Sequence, residues 1–255
     1  LGHVPMTHDH DPNPAQNLGV AKAAGMMGLT AEYLARIHGI TREQQDEFAA
    51  ASHKKAATAA ANGNFKDEIV AVSGIEADGC IRPDTSAEAL AGLKPAFDKD
   101  GSVTAGTSSP LTDGCAFTLI ASEEYAKANN LPILARIKSV AVSGCAAEIM
   151  GIGPVPATQK ALKRAGISMG DIGMAELNEA FAAQVLAVLR EWKLPNQDNL
   201  NVNGSGISLG HPIAATGARI LTTLLHEMER RDVQFGLETM CVGGGQGVAA
   251  LFERK

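Results

Sequence analysis

Asn203-Gly204-Ser205-Gly206-Ile207-Ser208-Leu209-Gly210-His211-Pro212 is the stretch on which the reading of this chain turns. Three glycines bring backbone close to a single histidine, and a long periodic segment follows. Proline is favoured at the first helical position, so the pattern predicts His211 as N-cap of a helix over Pro212 to Arg231. The positive end of the helix dipole disfavours a second proton there, leaving the ring neutral and able to act as a base or hydrogen-bond donor. The alternative is a histidine that only caps a helix.

Two further stretches carry chemistry. Met240-Cys241-Val242-Gly243-Gly244-Gly245-Gln246-Gly247 sets a thiol at the mouth of a glycine turn. Backbone N–H groups in such a turn bind a developing oxyanion, and the thiol can serve as acid, base or nucleophile. The plainer reading of Cys241 is a small apolar residue ending a core strand. Asn178-Glu179-Ala180-Phe181 opens a helix, with Asn178 either its N-cap or an amide that holds a water or a substrate carbonyl. Nucleotide motifs fail on spacing. Leu209 stands where a GxGxxG pattern needs glycine, the Gly243 turn lacks the Lys-Ser/Thr of a P-loop, and no G-x-S-x-G elbow is present.

Outward from these stretches the chain alternates regularly. Strands are expected over Ala135 to Val142, Met174 to Leu177, Asn201 to Asn203, Phe235 to Met240 and Gly247 to Phe252. Helices are expected over Val155 to Ala165, closed by Gly166, over Glu179 to Trp192, and over Pro212 to Arg231. The order β-α-β-α-β-α-β-β predicts an α/β fold with a mixed five-stranded sheet between helices, its last two strands antiparallel.

The earlier part reads as a mainly helical lid. Leu29 to about Ala61 is helical and alanine-rich, with a capping box from Thr41 to Gln44 and a stop at Asn62-Gly63. A short strand over Asp67 to Val72 and a second capping box, Thr85 to Glu88, follow. Val103 to Ser109 reads as a strand end entering a small-residue loop, and Cys115 to Ala121 as a buried strand. Ser122 caps the next helix, and Asn129 to Pro132 is a linker. Residues 1 to about 30 are loop-like; His3, His8, Asp9, His10 and Asp11 form a metal site or, more plainly, a solvated loop.

With 255 residues, 45% hydrophobic and 20% charged, the chain suffices for one large domain or two smaller ones. No apolar run approaches the ~20 residues of a membrane span, and no basic-then-apolar leader is visible. The chain begins with Leu1, which leaves a processed or truncated start open. A net charge of -6 argues against non-specific nucleic-acid binding, without excluding an anionic cofactor on a local basic patch. The four cysteines, Cys80, Cys115, Cys145 and Cys241, form no CxxC pair, which favours reduced thiols and a cytoplasmic location over a disulfide scaffold or a zinc site.

Together, Asn178 to Phe181, Gly210-His211-Pro212 and Cys241 to Gly247 closely resemble three ordered motifs of the thiolase family. Thr104 to Ser109 with Asp113-Gly114, and Gly25 to Gly28 with Thr30 to Glu32, resemble two more. Gly2 to Met6 and Glu176-Leu177 look most like its bacterial degradative 3-ketoacyl-CoA branch. The resemblance implies two similar halves with an inserted loop domain. Residues 1–100 would then be the loop domain, 101–131 the final elements of the first half, and 132–255 the C-terminal half.

It also implies thiolysis of a 3-ketoacyl-CoA by coenzyme A, a substrate rather than a tightly bound cofactor. His211 would activate the thiol nucleophile and polarise the thioester carbonyl. Asn178 would hold a water in the same oxyanion hole, Cys241 would exchange protons with the enolate and incoming CoA, and Gly243 N–H would serve a second oxyanion hole. Ser109 and Met27 would line the CoA and acyl path. Implied partners are acyl-CoA and CoA, a second copy in a homodimer, and the hydratase/dehydrogenase α subunit of a β-oxidation complex.

The acylated cysteine of the family sits in a Cys-x-Ser context, and none of the four cysteines has it. The expectation is a C-terminal piece, inactive alone, with the nucleophile outside these residues. A biosynthetic acetyl-CoA acetyltransferase and an inactive acyl-CoA- or partner-binding piece are the alternatives. Smaller departures are Ser205-Gly206, Ala214, and a short loop between Gly79 and Arg82.

Overall fold

The computed structural model describes residues 26–194 and 197–254. The cluster from His3 to Asp11, and the motif residue Gly25, lie outside the described residues. In chain order the helices are α1 (Met27–Ile37), α2 (Arg42–Ala61), α3 (Ala87–Ala91), α4 (Glu123–Ala128), α5 (Pro154–Ala165), α6 (Ala182–Trp192), α7 (Gly206–Leu209) and α8 (Thr216–Arg230). The strands are β1 (Arg136–Gly144), β2 (Met174–Leu177), β3 (Phe235–Val242) and β4 (Gln246–Glu253).

The strands form one mixed sheet in the order β1-β4-β3-β2. β4 runs antiparallel to both neighbours, and β2 runs parallel to β3. Alternation along the strands divides the core. Leu177, Leu237 and Leu251 pack with Val155 and Ala161 of α5 and Val185 and Val188 of α6. Met174 and Phe252 face the other way, onto Leu224 and Met228 of α8. The result is three layers, with α5 and α6 on one side of the sheet and α8 on the other.

The fifth expected strand is reduced to single bridges, Leu200 to Ala175 and Val202 to Gly204. Asn201 explains why. Its side chain accepts from Leu177 N–H at 2.9 Å and donates to Leu177 C=O at 2.8 Å, so that main-chain pairing stops at Ala175 and the side chain takes over at Leu177. Its own φ of 45° breaks the extended path.

In the helical layer, α2 buries Gln45, Ala49, Ser52, Ala56 and Ala59, a stripe at helical spacing whose small side chains let α7 approach. The Thr41–Gln44 capping box is formed in both directions. Gly166 closes α5 in the left-handed conformation, as expected.

Several expectations are corrected. Asp67 to Val72 makes turns and one bridge, Val72 to Ile75, in place of a strand. The cap of α3 is Ser86, which accepts from Ala89 N–H, one residue later than the sequence pattern places it. Cys115 to Ala121 is neither a strand nor buried: Phe117 is 87% and Leu119 79% exposed. Among the described residues no neighbouring strand lies beside it to complete a ladder. Glu179 to Phe181 precede rather than begin α6, because Phe181 bridges to Ser108 in extended form. Among the described residues, no helix is long and apolar enough to cross a membrane.

Where α5 starts, its Gly153 lies against Gly247 of β4, and a Cβ on Gly247 would collide with the Gly153 carbonyl. Backbone on backbone leaves no flexible atom to yield. Gly247→Ala is therefore expected to cost about 1–3 kcal/mol, while Gly79→Ala, which meets open space, should stay within about 0.5 kcal/mol of the parent. Urea unfolding of both variants checks this; equal midpoints would contradict the packing.

Candidate active site

The site forms where loops leave the sheet and meet the helical layer. Asn178 directly follows β2 and is fully buried, with its N–H donating to the Thr239 carbonyl at 3.0 Å. It extends the parallel ladder and caps no helix, which corrects the sequence expectation. Its amide Nδ2 lies 3.4 Å from His211 Nε2 and 3.5 Å from Nδ1.

His211 also stands elsewhere than expected. α8 begins at Thr216, with Pro212 to Ala215 forming a turn, so the cap is Ala215 and His211 lies on the preceding loop. Gly210 before it has φ of 95°, and a side chain there would meet Thr112. Only glycine fits that corner. The Thr112 hydroxyl in turn accepts the His211 N–H at 3.2 Å.

The ring is held by Thr216, whose Oγ1 lies 2.6 Å from Nδ1. That hydroxyl donates its one hydrogen to the Pro212 carbonyl at 3.0 Å, so it accepts from Nδ1–H. Nε2 is then the acceptor of the neutral ring, with the Asn178 amide nitrogen 3.4 Å away as its donor. Burial, with the Arg219 charge adding to it, pushes His211 down to about 4. The neutral imidazole expected from the sequence is present, but its causes are burial and Arg219 in place of capping.

Cys241 is half-buried near the end of β3, opposite Gly247 of β4. Burial pushes its thiol up to about 12, with the Cys145 thiol a lesser cause, so it stays protonated at neutral pH. It makes no hydrogen bond to Asn178 or His211. Gly243, in the turn that follows, is exposed, and Met27 Sδ reaches to 3.7 Å from where a Cβ on it would sit. Ser109 donates its N–H to the Ala180 carbonyl at 3.0 Å, which fixes its loop beside the Asn178 segment. The structure thus pairs Asn178 with His211 and Met27 with Gly243, and holds Ser109 one strand-end away.

Sequence reasoning missed Thr216, Thr112 and Glu179. Thr216, five residues after the histidine, could have been noticed as a hydroxyl within one turn. Thr112 gave no signal. Glu179 is a buried carboxylate that accepts from Ser52 Oγ at 2.6 Å, Asn201 Nδ2 at 3.1 Å and Ile207 N–H at 3.3 Å. It joins α2, the segment after β2 and α7. Among the described residues, no group of three or more His, Cys, Asp or Glu side chains is placed to hold a metal ion.

A neutral imidazole with Nε2 as acceptor, a buried amide beside it, a protonated thiol and a turn of backbone N–H groups define the class: an α/β protein with a site suited to acyl transfer and proton exchange. Comparison with known proteins gives the family. Residues 4–124 match the thiolase N-terminal domain and residues 131–254 the thiolase C-terminal domain. The chain is 57% identical to a 3-ketoacyl-CoA thiolase of Erwinia tasmaniensis and 55% identical to one of Photobacterium profundum. Each match covers all of this chain and 69% of the relative. Among solved structures, the Bacillus anthracis acetyl-CoA acetyltransferase superposes with a TM-score of 0.84 at 50% identity, over 89% of this chain and 59% of that one. Human mitochondrial 3-ketoacyl-CoA thiolase in complex with CoA gives 0.84 at 44%, over 90% of this chain and 59% of that one. The chain belongs to the thiolase family.

The buried acids give the site a pH signature. Burial pushes Glu238 from 4.5 up to about 8, against the opposing Arg219 charge. Between those values the unfolded chain has released a proton that the folded one keeps, so stability falls as pH rises. His211, lowered from 6.5 to about 4, has the opposite sign: its contribution is lost as pH falls below 6.5. Above pH 6.5 the acids act without it. The thermal midpoint is expected to fall from pH 6.5 to 8, less steeply in Glu238→Gln; equal slopes would contradict the assignment.

Proposed function

We propose that this chain carries the acid–base and oxyanion-binding part of a 3-ketoacyl-CoA thiolase, which cleaves 3-ketoacyl-CoA with coenzyme A to acetyl-CoA and a shortened acyl-CoA. The observation that carries the reading is the Asn178–His211–Thr216 arrangement, in which Nε2 of a neutral ring turns its lone pair to the Asn178 amide. His211 accepts the proton of the attacking thiol at Nε2. The ring, now carrying that proton on Nε2, then donates to the thioester oxygen, and Asn178 places a water against the same oxygen.

Cys241, protonated at neutral pH, delivers a proton to the departing enolate and takes one from incoming CoA. Its raised value suits a donor matched to a carbon acid. Gly243 N–H supports the second oxyanion, with Met27 and Ser109 along the CoA and acyl path. No Cys-x-Ser occurs in these 255 residues, so the acylated thiol of the reaction lies outside them in this reading.

Degradation is preferred to biosynthesis because relatives at 55–57% identity bear the 3-ketoacyl-CoA thiolase name, against 50% for the acetyltransferase structure. We place the reaction in fatty-acid β-oxidation, in a homodimer that joins a hydratase/dehydrogenase α subunit. Cytoplasmic location is supported by four free cysteines. We divide the chain into residues 1–100, 101–131 and 132–255; the two family matches, meeting between residues 124 and 131, support the second of these boundaries.

The test is acetoacetyl-CoA thiolysis by the protein together with its Cys-x-Ser nucleophile. His211→Ala is expected to lower kcat by roughly 10²–10⁴-fold with KM little changed. A variant as fast as the parent would overturn the proposal.

A further inference from the structure

Each hydrogen bond to the buried Glu179 carboxylate comes from a donor. Asn201 Nδ2 serves Oε1, while Ser52 Oγ and the Ile207 N–H share Oε2. Asn201 cannot turn its amide over, because Leu177 engages both of its ends. Ser52 gives its one hydrogen to Glu179, so Ser208 donates to Ser52 at 2.8 Å. These contacts suit a carboxylate. An amide in its place would turn its NH2 to Asn201 in one orientation and to the Ile207 N–H in the other.

The Ile207 bond holds the start of α7 against the Asn178–Glu179 segment. Gly206 is so close there that a Cβ on it would lie 2.7 Å from Asn178 Oδ1 and 2.7 Å from the Glu179 carbonyl oxygen. Asn178 Oδ1 is enclosed and has no hydrogen-bond partner among the described residues, whereas Nδ2 faces His211. A buried carbonyl oxygen without a donor is costly. Turning the amide over would not relieve it, since Thr216 keeps the ring hydrogen on Nδ1 and Oδ1 would then meet the Nε2 lone pair.

We propose that Glu179 is a positioning residue for Asn178: by holding the Ile207 N–H, its carboxylate keeps Gly206 against Oδ1 and so keeps Nδ2 of the amide turned to His211. This deepens the proposed reaction and, for its effect on rate, rests on it. The same short helix leads to the imidazole, because the Gly210 N–H closes on the Gly206 carbonyl at 3.1 Å, one residue before His211. Ser52 brings α2 into the arrangement, so the helical layer and both residues at the thioester oxygen share one carboxylate. A Glu179 that only joined the layers would, when replaced, cost stability and leave the Asn178 amide and the turnover of the folded protein as they were.

The test uses the protein together with its Cys-x-Ser nucleophile, ¹⁵N-labelled at asparagine side chains, and reads both the amide spectrum and acetoacetyl-CoA thiolysis. The Asn178 NH2 resonances are identified by their loss in Asn178→Ala. Glu179→Gln should shift or split them and lower kcat about 10- to 100-fold, with KM within about twofold of the parent. Glu179→Asp, which keeps the charge one methylene short, should fall between. Ser52→Ala, which removes one donor only, should move the resonances by less. Resonances unmoved in folded Glu179→Gln overturn the proposal; if that variant does not fold, resonances unmoved in Ser52→Ala do so. A folded Glu179→Gln that turns over as fast as an active parent also overturns it. Moved resonances with a parent that shows no thiolysis would count against the proposed reaction and leave the positioning role of Glu179 standing.

Discussion

The buried carboxylate of Glu179 is the interaction on which the rest of the site depends. It takes hydrogen bonds from Ser52 on α2, from the Asn201 side chain and from the backbone of Ile207 on α7, so three separate segments meet on one group. Ser52 also reaches Ser208 at 2.8 Å, which doubles the link from the helical layer to the glycine-rich stretch. Burial raises Glu179, and its three donors work against that rise. Asn178 is its chain neighbour and the Gly210 corner lies just past α7, so whatever fixes Glu179 fixes the amide and the imidazole relative to each other.

The chemistry follows from burial more than from charge. Enclosure lowers His211 and raises Cys241, which leaves a neutral base and a protonated acid at the same pH. Both groups are ready to move protons without first gaining or losing one. The acids beneath α8 obey the same rule, staying protonated to higher pH, with the Arg219 charge opposing the rise of both. A site of this kind places its net charge behind the reacting groups and away from the space in front.

The alternating strands and helices after residue 131 were legible because period-2 and period-3.6 patterns are strong there, and Met174–Leu177 and the closing glycine of α5 stand where expected. Elements failed where side chains or missing neighbours replaced the backbone pattern. Asn201 satisfies Leu177 with its side chain, so a strand-like stretch is no strand. Cys115 to Ala121 has the composition of a buried strand, but burial depends on what lies beside it, which local sequence does not encode. The motif residues His211, Asn178 and Cys241 could be named from order and spacing. Their environments were less legible: Thr216 lies within about a turn of the histidine, whereas Thr112 reaches it only through tertiary packing. Helix caps at Asn178 and His211 were inferred from good local rules, and the strand-end loops that meet there overrode them.

The central claim is that Asn178 and His211 together receive a thioester oxygen. The most direct test is the difference infrared spectrum of acetyl-CoA, ¹³C-labelled at its thioester carbonyl, bound to the protein. The account predicts that the bound carbonyl band moves to lower frequency, and that the move is lost in His211→Ala and reduced in Asn178→Ala. A ligand that binds with its carbonyl band unshifted would contradict it.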